Sequence, residues 1–211
     1  MRYRETVARL CLACALFAVP ATTAPAAQGD DPDWPCIQRK VPELSFGQIW
    51  NGPELPSAAA DWGKDAAITG LVAELAARRV PITEAEQMIR DYSARLTSSE
   101  RQTQLAKLMQ GLFEHMNRER SQVISGIARY AHTQRDMAES LRRDASAVDA
   151  LRAKAGADAK EIAARDDQLV LRTRIFQERV QSLTFVCEVP TLIEQRLYAL
   201  AKTVSQTMEE P

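Results

Sequence analysis

One helical pattern between Thr97 and Gly156 constrains this chain more than any other feature of its sequence. Apolar residues recur there mostly at steps of three, four or seven, and no strong helix breaker interrupts them before Gly156. They are Leu105, Leu108, Leu112, Met116, Val123, Ile127, Tyr130, Met137, Leu141, Val148 and Leu151. This spacing predicts a coiled-coil seam on a helix roughly 80 Å long. Gly111 and Gly126 interrupt the stripe and predict bends or close approaches of another segment.

The residues after Gly156 predict the partner helix. Ala155-Gly156-Ala157-Asp158 is a natural turn, and a second helical pattern runs from about Asp158 to Cys187. Its first seam row is Ile162, Leu169, Phe176 and Leu183, and its second row is Asp166, Thr173, Val180 and Cys187. We therefore predict an antiparallel coiled-coil hairpin over about 99–187 with its turn near residue 156. In this register Cys187 lies opposite about Ser125. The polar seam positions Gln134, Asp144, Asp166 and Thr173 would weaken a two-helix arm and could specify its pairing.

Shorter helices flank the hairpin. Apolar periodicity predicts them at about 64–79, 83–96 and 191–207. Two capping boxes mark helix starts, one formed by Thr83 and Glu86 and the other by Thr97 and Glu100. Pro190 is expected to stop the returning helix and to stand in the first turn of the last one. Leu192 is expected to point inward on that last helix, together with its other apolar residues.

The segment 27–60 differs from the rest of the chain. It holds five prolines and two tryptophans, Trp34 and Trp50. Proline at this density prevents a continuous helix, whereas the apolar content is too high for a disordered linker.

Together, the hairpin and the flanking helices predict an all-α protein. Its helical domain at 61–211 would form a head with the projecting coiled-coil hairpin, and an irregular Pro/Trp-rich arm at 27–60 would lie against it.

The first 26 residues have the pattern of a secretory signal peptide. Three arginines precede the apolar run Leu10–Val19, and Ala24-Pro25-Ala26 fits a small-x-small cleavage site. The apolar run is too short for a transmembrane helix, which needs about 20 apolar residues, although an uncleaved anchor is the alternative. We therefore predict export to the periplasm and no transmembrane segment after cleavage.

Export would place the cysteines in an oxidising compartment. Beyond residue 26 the chain has two, Cys36 and Cys187, and an oxidising compartment favours a disulfide between them. The alternative is two separate buried thiols. No Cys-x-x-Cys sequence remains in this part of the chain, so redox chemistry of the thioredoxin kind has no support.

The charge of the chain argues against polyanionic partners. Removing residues 1–26 takes three arginines and one glutamate from 27 basic and 28 acidic residues, which leaves 24 and 27. Neither sign forms a long run, so nucleic acid and anionic lipid are not expected as main partners.

Catalytic and metal-binding patterns are absent from the sequence. It has no Gly-rich phosphate loop, no nucleophile elbow and no His-x-x-x-His pair. Met109, His115 and Met116 are the candidates for a soft metal site, but methionine on an apolar helix face usually belongs to a core. We therefore expect no enzyme activity and no cofactor.

Three functional hypotheses remain. The first is a periplasmic interaction protein, an adaptor or envelope assembly factor, that binds envelope proteins or a second copy through the coiled coil and the Trp-rich arm. Trp34, Arg39, Lys40 and Trp50 are its candidate binding residues, although they could simply fasten the arm to the head. The second hypothesis is a holdase chaperone, and the third is a metal or small-ligand carrier.

Overall fold

The computed structural model describes residues 31–209. The predicted signal peptide at 1–26 lies outside the described residues, as do residues 27–30 of the arm. The described elements are α1 (Phe46–Ile49), a 3₁₀ helix (Ser57–Lys64), α2 (Ala66–Ala76), α3 (Ile82–Ala94), α4 (Ser98–Ala153) and α5 (Ala159–Glu209). No strand occurs among the described residues, and the predicted all-α fold is confirmed.

The antiparallel hairpin is formed by α4 and α5, which pack against each other along much of their length. The 56 residues of α4 make a helix about 84 Å long. The capping box of Thr97 and Glu100 opens it, and the Thr97 N–H donates to the Glu100 carboxylate at 3.3 Å. Between the two helices, Gly156 adopts φ 75°, a left-handed conformation that glycine takes without steric strain.

The head is built around one apolar core. The first part of α4 and the last part of α5 supply its centre, and α2, α3 and the 3₁₀ helix cover them. The largest fully buried side chains of the described chain are Ile68, Leu75, Ile89, Leu105, Leu108, Met109, Leu112, Met116, Ile127, Ile193, Leu197 and Leu200. All of them except Ile127 belong to this core.

Two details of the head helices differ from the predictions. The first helix begins after Asp65, whose carboxylate accepts hydrogen bonds from the N–H groups of Ala67 and Ile68, and it ends at Ala76 instead of residue 79. The capping box predicted at Thr83 is wrong, because Pro81 is the N-cap of α3 and Thr83 already lies inside the helix. Proline is favoured next to a helix start because its fixed φ suits the first turn and it lacks an N–H that would go unpaired there.

The helix stop predicted at Pro190 is also wrong, because α5 continues through this residue without a break. Proline in a helix interior removes one backbone hydrogen bond and costs about 3 kcal/mol. Pro190 is buried, and the helix after it carries buried core residues such as Ile193 and Leu197. Tertiary packing on both sides therefore outweighs the local penalty.

Beyond the head the hairpin becomes a two-helix stalk, residues 128–186. Two of its polar seam positions, Asp144 and Asp166, form bonds between the helices. Arg152 donates to Asp166 at 2.5 and 2.6 Å, while Arg172 pairs with Asp144. Gln134 is buried, and its side-chain amide has no partner within the described part of the chain. Val180, predicted for the seam, is instead exposed to 44%.

Candidate interaction surfaces

A disulfide joins the arm to the base of the stalk. Cys36 is bonded to Cys187 with a Cα–Cα distance of 5.5 Å, as predicted. Cys187 packs in a small apolar cluster with Ile127 and Leu183, and Trp34 lies against the same cluster. Ile127 is two residues from Ser125, the position predicted to face Cys187. The bridge therefore fixes the arm where head and stalk meet.

Hydrogen bonds from α4 hold the next part of the arm. The Leu44 N–H donates to Asn117 Oδ1 at 3.0 Å, and Arg120 Nη1 donates to the Val41 carbonyl at 2.7 Å. Arg120 also lies 3.5 Å from a carboxylate oxygen of Glu194 on α5. Burial lowers the pKa of this guanidinium, and the nearby Glu194 opposes that shift. The backbone at 41–44 is thus bound to the helices independently of the disulfide.

Trp34 and Lys40, two of the four predicted binding residues, lie together on the arm. Trp34 Nε1 donates to the Gln38 carbonyl at 2.6 Å, and Lys40 Nζ lies 5.8 Å from the centre of its ring. Lys40 also pairs with Asp31 at 2.6 Å, and a hydrogen bond from Lys40 lowers the pKa of that carboxyl. Arg39 is exposed beside them. The arm therefore presents a compact surface of one aromatic ring and two cations.

Trp50, the fourth predicted binding residue, lies elsewhere. Its side chain is 7% exposed within the head core, and its Nε1 donates to the Pro53 carbonyl at 2.8 Å. It has little surface to offer a partner. Ile37 shows the opposite outcome, because its apolar side chain is fully exposed next to Cys36.

An ion pair also joins the arm to the stalk. Arg135 Nη2 lies 2.6 Å from Asp33 Oδ1, and His132 Nδ1 lies 3.4 Å from the same oxygen. These two stalk residues stand one turn apart on α4. Asp33 therefore binds the arm to the stalk near the disulfide.

A second surface lies on α5, on the side turned away from α4. Seven of the eight large apolar side chains exposed among residues 31–209 belong to this helix, and the eighth is Ile37. Leu171, Phe185 and Leu192 are 58%, 73% and 49% exposed. With the half-buried Ile175 and Val189 they form a row at alternating steps of four and three residues, interrupted between Ile175 and Phe185. We call these five residues the outer stripe. The prediction that Leu192 points inward was wrong.

Sequence reasoning missed the outer stripe for a physical reason. Its heptad spacing is visible in the sequence, but the stronger seam of Ile162, Leu169, Phe176 and Leu183 occupies the same helix. Period alone does not say which of two apolar rows the rest of the chain covers. Leu192 and Phe185 are exposed because α2 and α3 pack against other sides of α5.

A buried arginine was missed as well. Arg196 on α5 donates from Nε to the Leu75 carbonyl at 2.8 Å and from Nη1 to the Val80 carbonyl at 2.9 Å. Burial lowers the pKa of this guanidinium. The contact satisfies carbonyl groups at the end of α2 and fastens the α2–α3 connection to α5.

The candidate metal ligands do not form a shared open site. Met109 and Met116 are buried in the head core, whereas His115 lies at a shallow depression that Arg78, Arg79 and Glu119 also line. Within residues 31–209 no group of three or more His, Cys, Asp or Glu side chains is arranged to hold a metal ion.

Comparisons with known proteins identify no relative of this chain. A scan against protein-family models returns no match, and searches of curated proteins and of solved structures find no significant similarity to this chain. Over the part of the chain that is described, no helix has the length and apolar content needed to cross a bilayer.

Proposed function

We propose that this chain is a non-enzymatic interaction protein of the bacterial envelope, an adaptor or assembly factor that acts in the periplasm through its stalk and its arm. The observation that carries the proposal is the two-helix stalk, 128–186, which extends beyond the head and carries exposed apolar side chains. A protein gains little stability from such an extension, because most stalk residues are only partly buried. A stalk of this kind serves to place a binding surface at a distance from the head.

The arm supports the same proposal. Trp34, Arg39 and Lys40 combine an aromatic ring with cations, the side-chain types enriched at protein interfaces. The disulfide and the Asp33–Arg135 ion pair hold this surface in place before any partner binds, which lowers the entropy lost on binding. A disulfide also fits the oxidising compartment that the sequence of residues 1–26 predicts.

The test is site-specific photocrosslinking in the periplasm. A photoreactive amino acid replaces Arg39 on the arm or Arg143 on the stalk, and Glu84 on α3 is the control position, since all three side chains are exposed. We expect one or two defined envelope proteins to be captured from Arg39 or Arg143 and none of them from Glu84. Capture of no protein from either test position would refute the proposal.

A holdase chaperone is the second candidate, and one observation favours it. Client binding needs exposed apolar surface, and Ile37, Leu171 and Phe185 supply some. The same crosslinking experiment separates the two functions, because a holdase would capture a broad mixture of unfolded envelope proteins. A failure to slow the aggregation of an unfolded client at equal molar ratio would exclude the holdase.

A further inference from the structure

We infer that the outer stripe of α5 binds a second copy of this chain, α5 against α5, in antiparallel orientation. The stripe already has the spacing of a coiled-coil seam, since Leu171, Ile175, residues 178 and 182, Phe185, Val189 and Leu192 follow at alternating steps of four and three. The side chains at its ends are apolar and the two at its centre, Glu178 and Ser182, are polar. From Leu171 to Val189 this order is symmetrical about residue 180, as an antiparallel pair of identical helices requires.

Pairing about a two-fold axis near residue 180 makes the stripe complementary to itself. Ile175 then meets Phe185 of the partner subunit, and Leu171 meets Val189 of the partner subunit. In the centre, Glu178 meets Ser182 of the partner subunit. Four of the five apolar stripe residues thus face an apolar residue and the two central polar residues face each other, whereas Leu192 meets Gln168 of the partner subunit. Shifting the register by one heptad would place Glu178 opposite an apolar side chain, so the polar centre specifies this register.

The charges beside the stripe favour the same arrangement. Arg174 and Glu188 both precede a stripe residue by one position, and in this register each lies next to the other's counterpart on the partner subunit. Two symmetrical ion pairs would therefore border the interface. Within one chain these residues are 14 positions apart, about 21 Å along the helix, and cannot pair with each other. In the isolated chain Arg174 instead contacts Glu178 at 3.0 Å.

Parallel pairing is disfavoured by the same residues. It would place two Glu178 side chains in one layer and would bring Arg174 next to Arg179 of the partner subunit, so that like charges meet at both places. The antiparallel arrangement brings Glu178 close to Arg179 of the partner subunit across the two-fold axis, where the two Arg179 side chains also come near each other.

The size of the surface predicts a weak dimer. Residues 168–192 make a face about 37 Å long and about 10 Å wide, or roughly 400 Å² per protomer. Standard stable interfaces bury about 800 Å² per partner. We therefore expect a concentration-dependent equilibrium between monomer and dimer, with dissociation in the micromolar range or weaker.

Sedimentation equilibrium of the purified oxidised chain over a wide concentration range tests the inference. We expect Phe185→Ser to weaken dimerisation about a hundredfold, because the residue enters two symmetrical layers. Its side chain is 73% exposed, so the fold should be unaffected. Tyr198→Ser, which removes a 54% exposed ring from another face of α5, is the matched control and should leave dimerisation unchanged. A chain that stays monomeric at all concentrations overturns the inference, as does a dimer that Phe185→Ser does not weaken.

A charge swap tests the orientation. Arg174→Glu or Glu188→Arg alone should weaken the dimer about tenfold, and the double variant should recover most of the loss. Recovery is expected only if the two residues meet between subunits, since they are too far apart within one chain. A double variant as weak as the sum of the two single variants would overturn the antiparallel register.

This inference deepens the proposed function, because a dimer would carry two stalks, but the two can fail separately. Arg143 and Arg39 lie outside the outer stripe, so heterologous partners captured there support the proposed function even if the chain is monomeric. A dimer that captures no other protein would instead leave self-association as the demonstrated interaction and refute the adaptor role.

Discussion

Two glycines of α4, Gly111 and Gly126, differ in how closely other side chains approach them. At Gly111 an added Cβ would lie 2.8 Å from the Trp62 ring and 2.8 Å from the Val72 side chain. Trp62 is held there by a hydrogen bond from its Nε1 to Glu114 at 2.9 Å, so the ring cannot move away freely. At Gly126 an added Cβ would meet only the end of the Arg129 side chain, at 3.9 Å. Of the bends or close approaches predicted at these two glycines, a close approach of another segment is present at Gly111 and not at Gly126.

Alanine substitutions at these glycines should have opposite effects. Gly126→Ala should raise the free energy of unfolding by up to about 1 kcal/mol, because alanine is the better helix former. Gly111→Ala should lower it by about 1–3 kcal/mol, because overpacking against Trp62 outweighs the helix gain. Urea denaturation of both variants measures this. Equal effects from the two substitutions would contradict the packing seen around Gly111.

The Arg196 side chain fastens the α2–α3 connection to α5. Arg196→Met keeps the apolar part of the side chain but leaves the carbonyls of Leu75 and Val80 without their donors, so we expect a loss of about 2–3 kcal/mol in the free energy of unfolding. Arg118→Met, at an exposed position of α4, is the control and should change it by less than about 0.5 kcal/mol. Similar losses in both variants, measured by urea denaturation, would refute this role of Arg196.

At the scale of elements, α5 is the helix on which the architecture depends. Its first part pairs with α4 in the stalk, its middle carries Cys187, and its last part supplies core residues of the head. Pro190 lies between the last two parts. A helix that must belong to both stalk and head gains from being continuous, because a break would separate Cys187 from the core residues that follow.

Pro190→Ala tests this continuity. Alanine restores the backbone donor of an interior helix position, a gain of about 3 kcal/mol, and gives up about 1.6 kcal/mol of apolar burial. We therefore expect the free energy of unfolding to rise by about 1 kcal/mol. Pro81→Ala, at the start of α3, should bring no such gain. A destabilised Pro190→Ala variant in urea denaturation would mean that the chain benefits from a break at this point.

At the scale of the whole molecule, two kinds of contact hold the arm. The side chains of Asn117 and Arg120 form hydrogen bonds with the backbone of residues 41–44, whereas residues 31–40 depend on the disulfide, Trp34 and the Asp33–Arg135 ion pair. The bridge closes a sequence separation of 151 residues. In the chain-entropy model such a loop contributes up to about 5 kcal/mol, although native strain often reduces the gain.

Loss of the disulfide should therefore release the first part of the arm and leave the second part bound. In Cys36→Ser we expect trypsin to cleave rapidly after Arg39 and Lys40, with helical circular dichroism unchanged and the free energy of unfolding lower by about 2–5 kcal/mol. Mass spectrometry of the early tryptic fragments identifies the sites. Cleavage rates equal to those of the oxidised chain would show that the non-covalent contacts suffice.

The sequence by itself determined the hairpin, its turn and the disulfide partners. Heptad spacing and the glycine at residue 156 act through local backbone geometry, and the two cysteines beyond residue 26 allow one pairing. Only the tertiary structure decided that α5 passes through Pro190, that Trp50 is buried while Trp34 stays at the surface, and that Leu171, Phe185 and Leu192 of the outer stripe are exposed. These outcomes depend on which residues distant in sequence come into contact, and the energy of those contacts exceeds the local preferences that a sequence pattern records.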